Sequence, residues 1–178
     1  MSKYSFIFDC ESTGLVGPSL LTTKQQPKVT EFYGALYEDG NKVDEIEFFA
    51  NPGEKLDRKI TSITGITDAM LSAAKPFYDH AKAVSDLIFR ADEVVAHNLS
   101  FDFALLEAEF ERADMIGPWP PNRICTVEAT EWIKGYRLSL SALHEHLFGE
   151  KFAGAHRARI DVEALARCFF ELRRLGYA

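Results

Sequence analysis

A chain of 178 residues with 47% apolar and 26% charged positions has the means to form a packed core, which excludes a disordered or low-complexity polymer, and one domain over 1–178 suffices for it. Its 20 Lys+Arg against 27 Asp+Glu leave a net charge of −7, which excludes broad electrostatic attraction to nucleic acid and confines any such contact to a local site. No run approaches the ~20 apolar residues of a membrane span, the start MSKYSFIFDCE lacks a secretory pattern, and Cys10, Cys125 and Cys168 are spaced for neither a disulfide framework nor a C-x-x-C metal site, so a reducing cytoplasm is expected.

Tyr4 to Phe8 is an aromatic and aliphatic run that predicts a buried central strand ending at Asp9-Cys10-Glu11. Residues 14–28, with Gly14, Gly17, Pro18 and Pro27, read as a long loop. Val29 to Tyr37 and Val43 to Ala50 predict two strands joined as a hairpin across Asp39-Gly40-Asn41. Short helices are expected over 57–63 and 68–74, and a longer one from Phe77 to Phe89, where Phe77, Ala81, Val84, Leu87 and Ile88 recur at helical spacing. Glu93 to His97 reads as a fourth strand. Ser100 then starts a helix carrying Phe103, Leu106 and Phe110, which must end before Gly117-Pro118-Trp119-Pro120-Pro121. A short strand at Ile124-Cys125 and helices over 127–134, 139–147 and 160–174 complete the chain, giving strands in a mixed sheet with helices packed against it.

Four acids stand where acids are costly. Asp9 and Glu11 are two apart in a strand and so point to one face together with Ile7. Two such charges at the end of an apolar strand repel each other and lose hydration unless cations neutralise them. Asp161 shares a helical stripe with Ala164, Leu165, Cys168 and Leu172, which is the apolar face. Asp102 lies between Phe101 and Phe103, just after the apolar Val94-Val95-Ala96. For Asp102 and Asp161 a bland alternative stands beside function: an acid in the first turn of a helix also stabilises the helix dipole. His156, in the loop Phe152-Ala153-Gly154-Ala155-His156, is placed to swing an imidazole toward a metal site. His144 and His146, two apart on a helix, face different ways and read as structural.

The segments FIFDCESTGL (6–15), EFYGA (from Glu31), TGIT (64–67), VVAHNLSFDFALL (94–106), ICT (124–126) and HRARIDVEAL (156–165) together resemble the DEDDh exonucleases, the group that includes the proofreading epsilon subunit of bacterial replicative polymerase and several free-standing nucleases. The resemblance spans nearly the whole chain in the family's order. It implies an α/β, RNase H-like fold with a mixed five-stranded sheet flanked by helices. It implies two divalent ions, Mg²⁺ or Mn²⁺, since carboxylate oxygens are hard ligands, with Asp9 shared between them, Glu11 and Asp161 completing one site and Asp102 holding the other. It makes His156 the general base for the attacking water, and nucleoside 5′-monophosphates the products. By the same resemblance Ser12, Thr13, Gly14 and Leu15 line the terminal-nucleotide pocket, Asn98 and Phe101 border it, and Ile66 forms the opposite wall.

The chain departs from the family at Cys10 and Ser12, where Thr is usual, and at Thr64, where many members carry His. Its loop from Val16 to Lys28 is longer than usual; Lys24 and Lys28 there are either solvated or in contact with a strand backbone. The expected partner is single-stranded DNA or a frayed 3′ end, with RNA-end trimming as the alternative within the family and an inactive module that binds a strand or a polymerase as the alternative outside it. A calcium-binding structural domain has no D-x-[DN]-x-[DN]-G loop to support it. The end of the last helix near Gly176 favours a free-standing enzyme, with association with a DNA polymerase left open.

Overall fold

The computed structural model describes residues 2–18 and 22–178, so part of the loop expected over 14–28 lies outside the described residues. The elements run β1 (Tyr4–Ser12), β2 (Val29–Glu38), β3 (Asn41–Phe49), α1 (Arg58–Thr64), α2 (Asp68–Leu71), α3 (Ala81–Phe89), β4 (Glu93–Ala96), α4 (Leu99–Arg112), β5 (Asn122–Cys125), α5 (Thr126–Lys134), α6 (Leu140–Phe148) and α7 (Ala158–Arg174). Single 3₁₀ turns occupy Thr23–Gln25 and Phe77–Asp79. The five strands form one mixed sheet in the order β3-β2-β1-β4-β5. β2 is antiparallel to both β1 and β3, whereas β4 runs parallel to β1 and β5 parallel to β4.

Alternation along β1 decides which side chains meet which helices. Phe6, Phe8 and Cys10 face α3 and α4, packing with Val84, Ile88, Leu105, Leu106 and Phe110. Ile7 faces the other way, onto Val162, Leu165 and Phe169 of α7. α7 is apolar on a second side as well, where Cys168 and Leu172 meet Ala129 of α5 and Leu143 of α6. All three cysteines are free thiols. Gly34 of β2 leaves room for the Phe6 ring, which any Cβ at that position would strike.

Several elements differ in extent from the sequence reading, each for a local reason. β1 continues past Phe8 to Ser12, because β2 pairs with it residue by residue through Glu11↔Glu31 before the register slips. The β2–β3 turn is tight, with Asp39 at φ 49° and Gly40 at φ 87°, so Asn41 already belongs to β3. The helix expected over 68–74 stops at Leu71, and that expected from Phe77 is broken into a 3₁₀ turn and α3. α7 begins at Ala158 rather than 160, since the N–H of its first residue finds a carboxylate acceptor in Glu31. Among the described residues no helix is long and apolar enough to cross a membrane.

Candidate active site

The carboxyl ends of parallel strands β1 and β4, the start of α4 and the start of α7 enclose a crevice of about 390 Å³. Such a position, beyond the carboxyl edge of parallel strands, is where α/β sheets bind ligands. Asp9, Glu11, Asp102, His156 and Asp161 all line it, as do Asn98 and Phe101. Residues far apart in the chain are therefore brought to one place.

Asp9 and Glu11 reach the crevice from the α7 face of β1, where Ile7 packs below them. Asp161 comes from the first turn of α7 and is buried, on the same stripe as Ala164, Leu165, Cys168 and Leu172. One carboxylate oxygen from each of Asp9, Glu11 and Asp161 lies within 4.8 Å of the others. Asp102 enters from α4; it is buried, and its Oδ1 accepts the backbone N–H of Cys10 at 3.1 Å, which ties α4 to β1.

The electrostatics of this cluster are unfavourable without a cation. Burial, and then the neighbouring acids, push Asp9 well above the usual carboxylate range. The same causes raise Glu11 to about 8, with the Arg157 guanidinium opposing them. Burial also raises Asp102 and Asp161, against hydrogen bonds from backbone N–H groups that favour their charged forms. Hard oxygen donors, held together at a cost in repulsion and desolvation, fit a divalent cation of the Mg²⁺ or Mn²⁺ type.

His156 is exposed at the crevice rim, with φ 68° in the left-handed region. Its backbone N–H donates to Oδ2 of Asp161 at 2.8 Å, so the histidine's position is linked to the acid cluster. His97 also lines the crevice and has a different character. Its Nε2 lies 3.1 Å from the carbonyl of Leu138 and must donate, which leaves Nδ1 to accept from the Thr126 hydroxyl at 2.9 Å. Burial lowers its pKa to about 4, so it is a neutral, doubly engaged structural group. His144 is buried with Nδ1 2.8 Å from the carbonyl oxygen of Glu150, and it too belongs to the packing.

The expected nucleotide-pocket residues are spread more widely. Ser12 is buried and its hydroxyl donates to the carbonyl of Gly14 at 2.7 Å. Thr13, Gly14 and Leu15 line a neighbouring shallow groove with Lys24 and Glu54, and Leu15 is 88% exposed. Lys28 is occupied, its Nζ donating to the carbonyl of Pro52 at 2.5 Å.

Ile66 departs from expectation: it is fully buried and offers no surface as a groove wall. Gly65 at φ 72° ends α1, and the Thr64 hydroxyl accepts the Ile66 N–H at 3.1 Å, which turns this residue inward. The wall facing the acids comes instead from Ser139, Leu140 and Ser141 at the start of α6, and from Phe152 and Ala155. No motif marked the residues at the start of α6, which the packing of α6 on α7 brings there.

A family model described as exonuclease matches residues 6–169. The chain belongs to that family. The sheet order, and the meeting of Asp9, Glu11, Asp102 and Asp161 with His156 in one crevice, are in keeping with an exonuclease domain of the DEDDh type. It is 32% identical over 172 residues to the PolC-type DNA polymerase III of Staphylococcus haemolyticus, a match that covers 93% of this chain and 11% of the relative. The chain thus spans about a tenth of the length of the curated relatives it matches. Exonuclease X, solved in complex with 5′ overhanging duplex DNA, aligns at TM-score 0.68 and 23% identity over 98% of this chain and 94% of its own. A 3′-exonuclease that recognises a histone mRNA stem-loop aligns at TM-score 0.76 and 17% identity over 98% of this chain and 65% of its own. These two likenesses establish a shared fold.

Proposed function

We propose that the chain, as one domain over 1–178, hydrolyses single-stranded or frayed DNA from its 3′ end and releases nucleoside 5′-monophosphates. The observation that carries this reading is the meeting of Asp9, Glu11, Asp102, Asp161 and His156 in a single crevice. Asp9, Glu11 and Asp161 would hold one divalent ion, and Asp9 with Asp102 a second, of Mg²⁺ or Mn²⁺. When bound, such ions neutralise the acids, polarise the scissile phosphate and make a water more acidic. His156, exposed at the rim, takes the proton from the attacking water. Phe101 and Asn98 border the place of the terminal nucleotide, and the exposed Leu15, with Thr13 and Gly14, supplies an apolar edge against which any base can pack.

DNA is favoured as substrate by the similarity to a DNA polymerase, which also supports a polymerase as a partner. The likeness to a 3′-exonuclease that recognises a histone mRNA stem-loop supports RNA-end trimming as the second reading. An inactive strand-binding module would have no use for three costly acids held this close. The deciding experiment is degradation of matched DNA and RNA oligonucleotides with Mg²⁺ or Mn²⁺, with products resolved by chromatography. Preferential release of deoxynucleoside 5′-monophosphates, lost on chelation, is expected; faster release from RNA would replace the DNA reading, and release from neither would remove the enzyme reading.

A further inference from the structure

Glu31 is a buried acid that the metal reading leaves without a task. It stands on β2 directly opposite Glu11, so two like charges face each other across the β1–β2 pair. Opposed like charges destabilise a sheet unless something intervenes. Arg157 does so: its Nη2 donates to Oε1 of Glu31 at 2.8 Å, and its Nε lies 3.1 Å from Oε2. Oε2 also accepts the backbone N–H of Ala158 at 3.3 Å, at the first residue of α7. The Arg157 guanidinium is packed over the Phe49 ring, 5.6 Å from its centroid.

The residue before this fork is His156. Its backbone is in the left-handed region, a conformation that a non-glycine residue holds only when its surroundings impose it. Two carboxylates impose it here. Asp161 holds the N–H of His156 from one side, and Glu31 holds Arg157 and Ala158 from the other. Release of the Glu31 side would leave the turn tied at a single point, while Glu31 would be free to approach Glu11 or compete for a cation.

We propose that the bidentate Arg157–Glu31 pair is a positioning device, which fixes the turn bearing His156 over the acid cluster and keeps Glu31 out of the metal site. The proposal rests on the reading of His156 as proton acceptor. Arg157 and Glu31 are positioning residues that act through His156 and touch no reacting atom. Lys at position 157 would keep the charge but lose the planar fork.

The test measures kcat, KM and thermal melting of the full chain on a single-stranded DNA oligonucleotide with Mn²⁺. Arg157→Ala alone leaves Glu31 buried and unpaired and is at risk of misfolding, so the main variant is Arg157→Ala/Glu31→Gln, which removes the fork without an orphan charge. A folded protein with kcat reduced roughly 10²-fold and KM little changed is expected, as for loss of catalytic orientation. Arg157→Lys should fall between this and wild type. In a His156→Ala background the double substitution should cost nothing further, because its target is already gone. Wild-type kcat in the double variant, or an equal fold-loss with and without His156, overturns the proposal. Should the double variant fail to fold, Arg157→Lys decides alone, and wild-type kcat there overturns it. If His156→Ala turns over like wild type, the proton-acceptor reading fails and the positioning role with it; if His156→Ala is slow and the double variant is not, only the positioning role fails.

Discussion

The backbone N–H of His156 donates to Oδ2 of Asp161 across 2.8 Å, so the histidine at the crevice rim is held by one of the acids it is proposed to serve. A substitution at Asp161 therefore acts twice. Asp161→Ala is expected to abolish Mn²⁺-dependent nucleotide release, through loss of a ligand and of the acceptor that holds the turn. In metal-free protein it should melt at or above the wild-type temperature, since removing one acid relieves repulsion with Glu11. Turnover at the wild-type rate would take Asp161 out of the site.

Asp102 separates two roles by chemistry. Asp102→Asn keeps an oxygen to accept the Cys10 N–H, so it should fold normally while activity is lost with the charge. Asp102→Ala leaves that buried N–H unpaired and should cost about 1–3 kcal/mol of stability in addition. Urea denaturation of both variants beside activity assays checks this; equal stability would show that the Cys10 bond contributes little.

For His156→Ala the expected loss is roughly 10²–10⁴-fold in kcat with metal and strand binding retained, as for loss of a general base. The acidic limb of the pH–rate profile should flatten, and raising the pH should restore part of the rate. A variant with reduced melting temperature and an unchanged profile would make His156 a packing residue.

Glu11 predicts a pH dependence of stability. Its folded pKa of about 8 lies above the ordinary 4.5, so folding favours the protonated form. The stability it contributes is fully present below pH about 4.5 and is lost as pH rises through about 8. Metal-free protein should accordingly melt at falling temperature across that window. Added Mn²⁺ should reduce the fall, because it binds the deprotonated cluster. Melting curves with and without chelator test this, and parallel curves would mean that the acids bind no ion.

The direction of attack is testable with blocked ends. A 3′-phosphate should stop release of mononucleotides, and a circular single strand should remain intact. Internal cleavage of the circle would contradict a site built around a strand end.

What could be read along the chain was what depends on backbone period. A repeat of two put Asp9 and Glu11 on one face of β1, and a repeat near 3.6 put Asp161 on the apolar stripe of α7; both placements hold in the structure. The ordered motifs of the DEDDh group carried the fold class and the five acid and histidine positions. Pairings between distant residues were out of reach. Glu31 and Arg157 are 126 positions apart, and nothing in either one's neighbours says that β2 and the start of α7 meet beside Glu11. The inward turn of Ile66, the neutral state of His97 and the crevice wall from α6 likewise follow from a left-handed glycine, burial and helix packing. Local geometry repeats along the chain and leaves a pattern in the residues. Sheet order and the parallel pairing of β1 with β4 bring the termini of α4 and α7 together, and that convergence belongs to the tertiary structure alone.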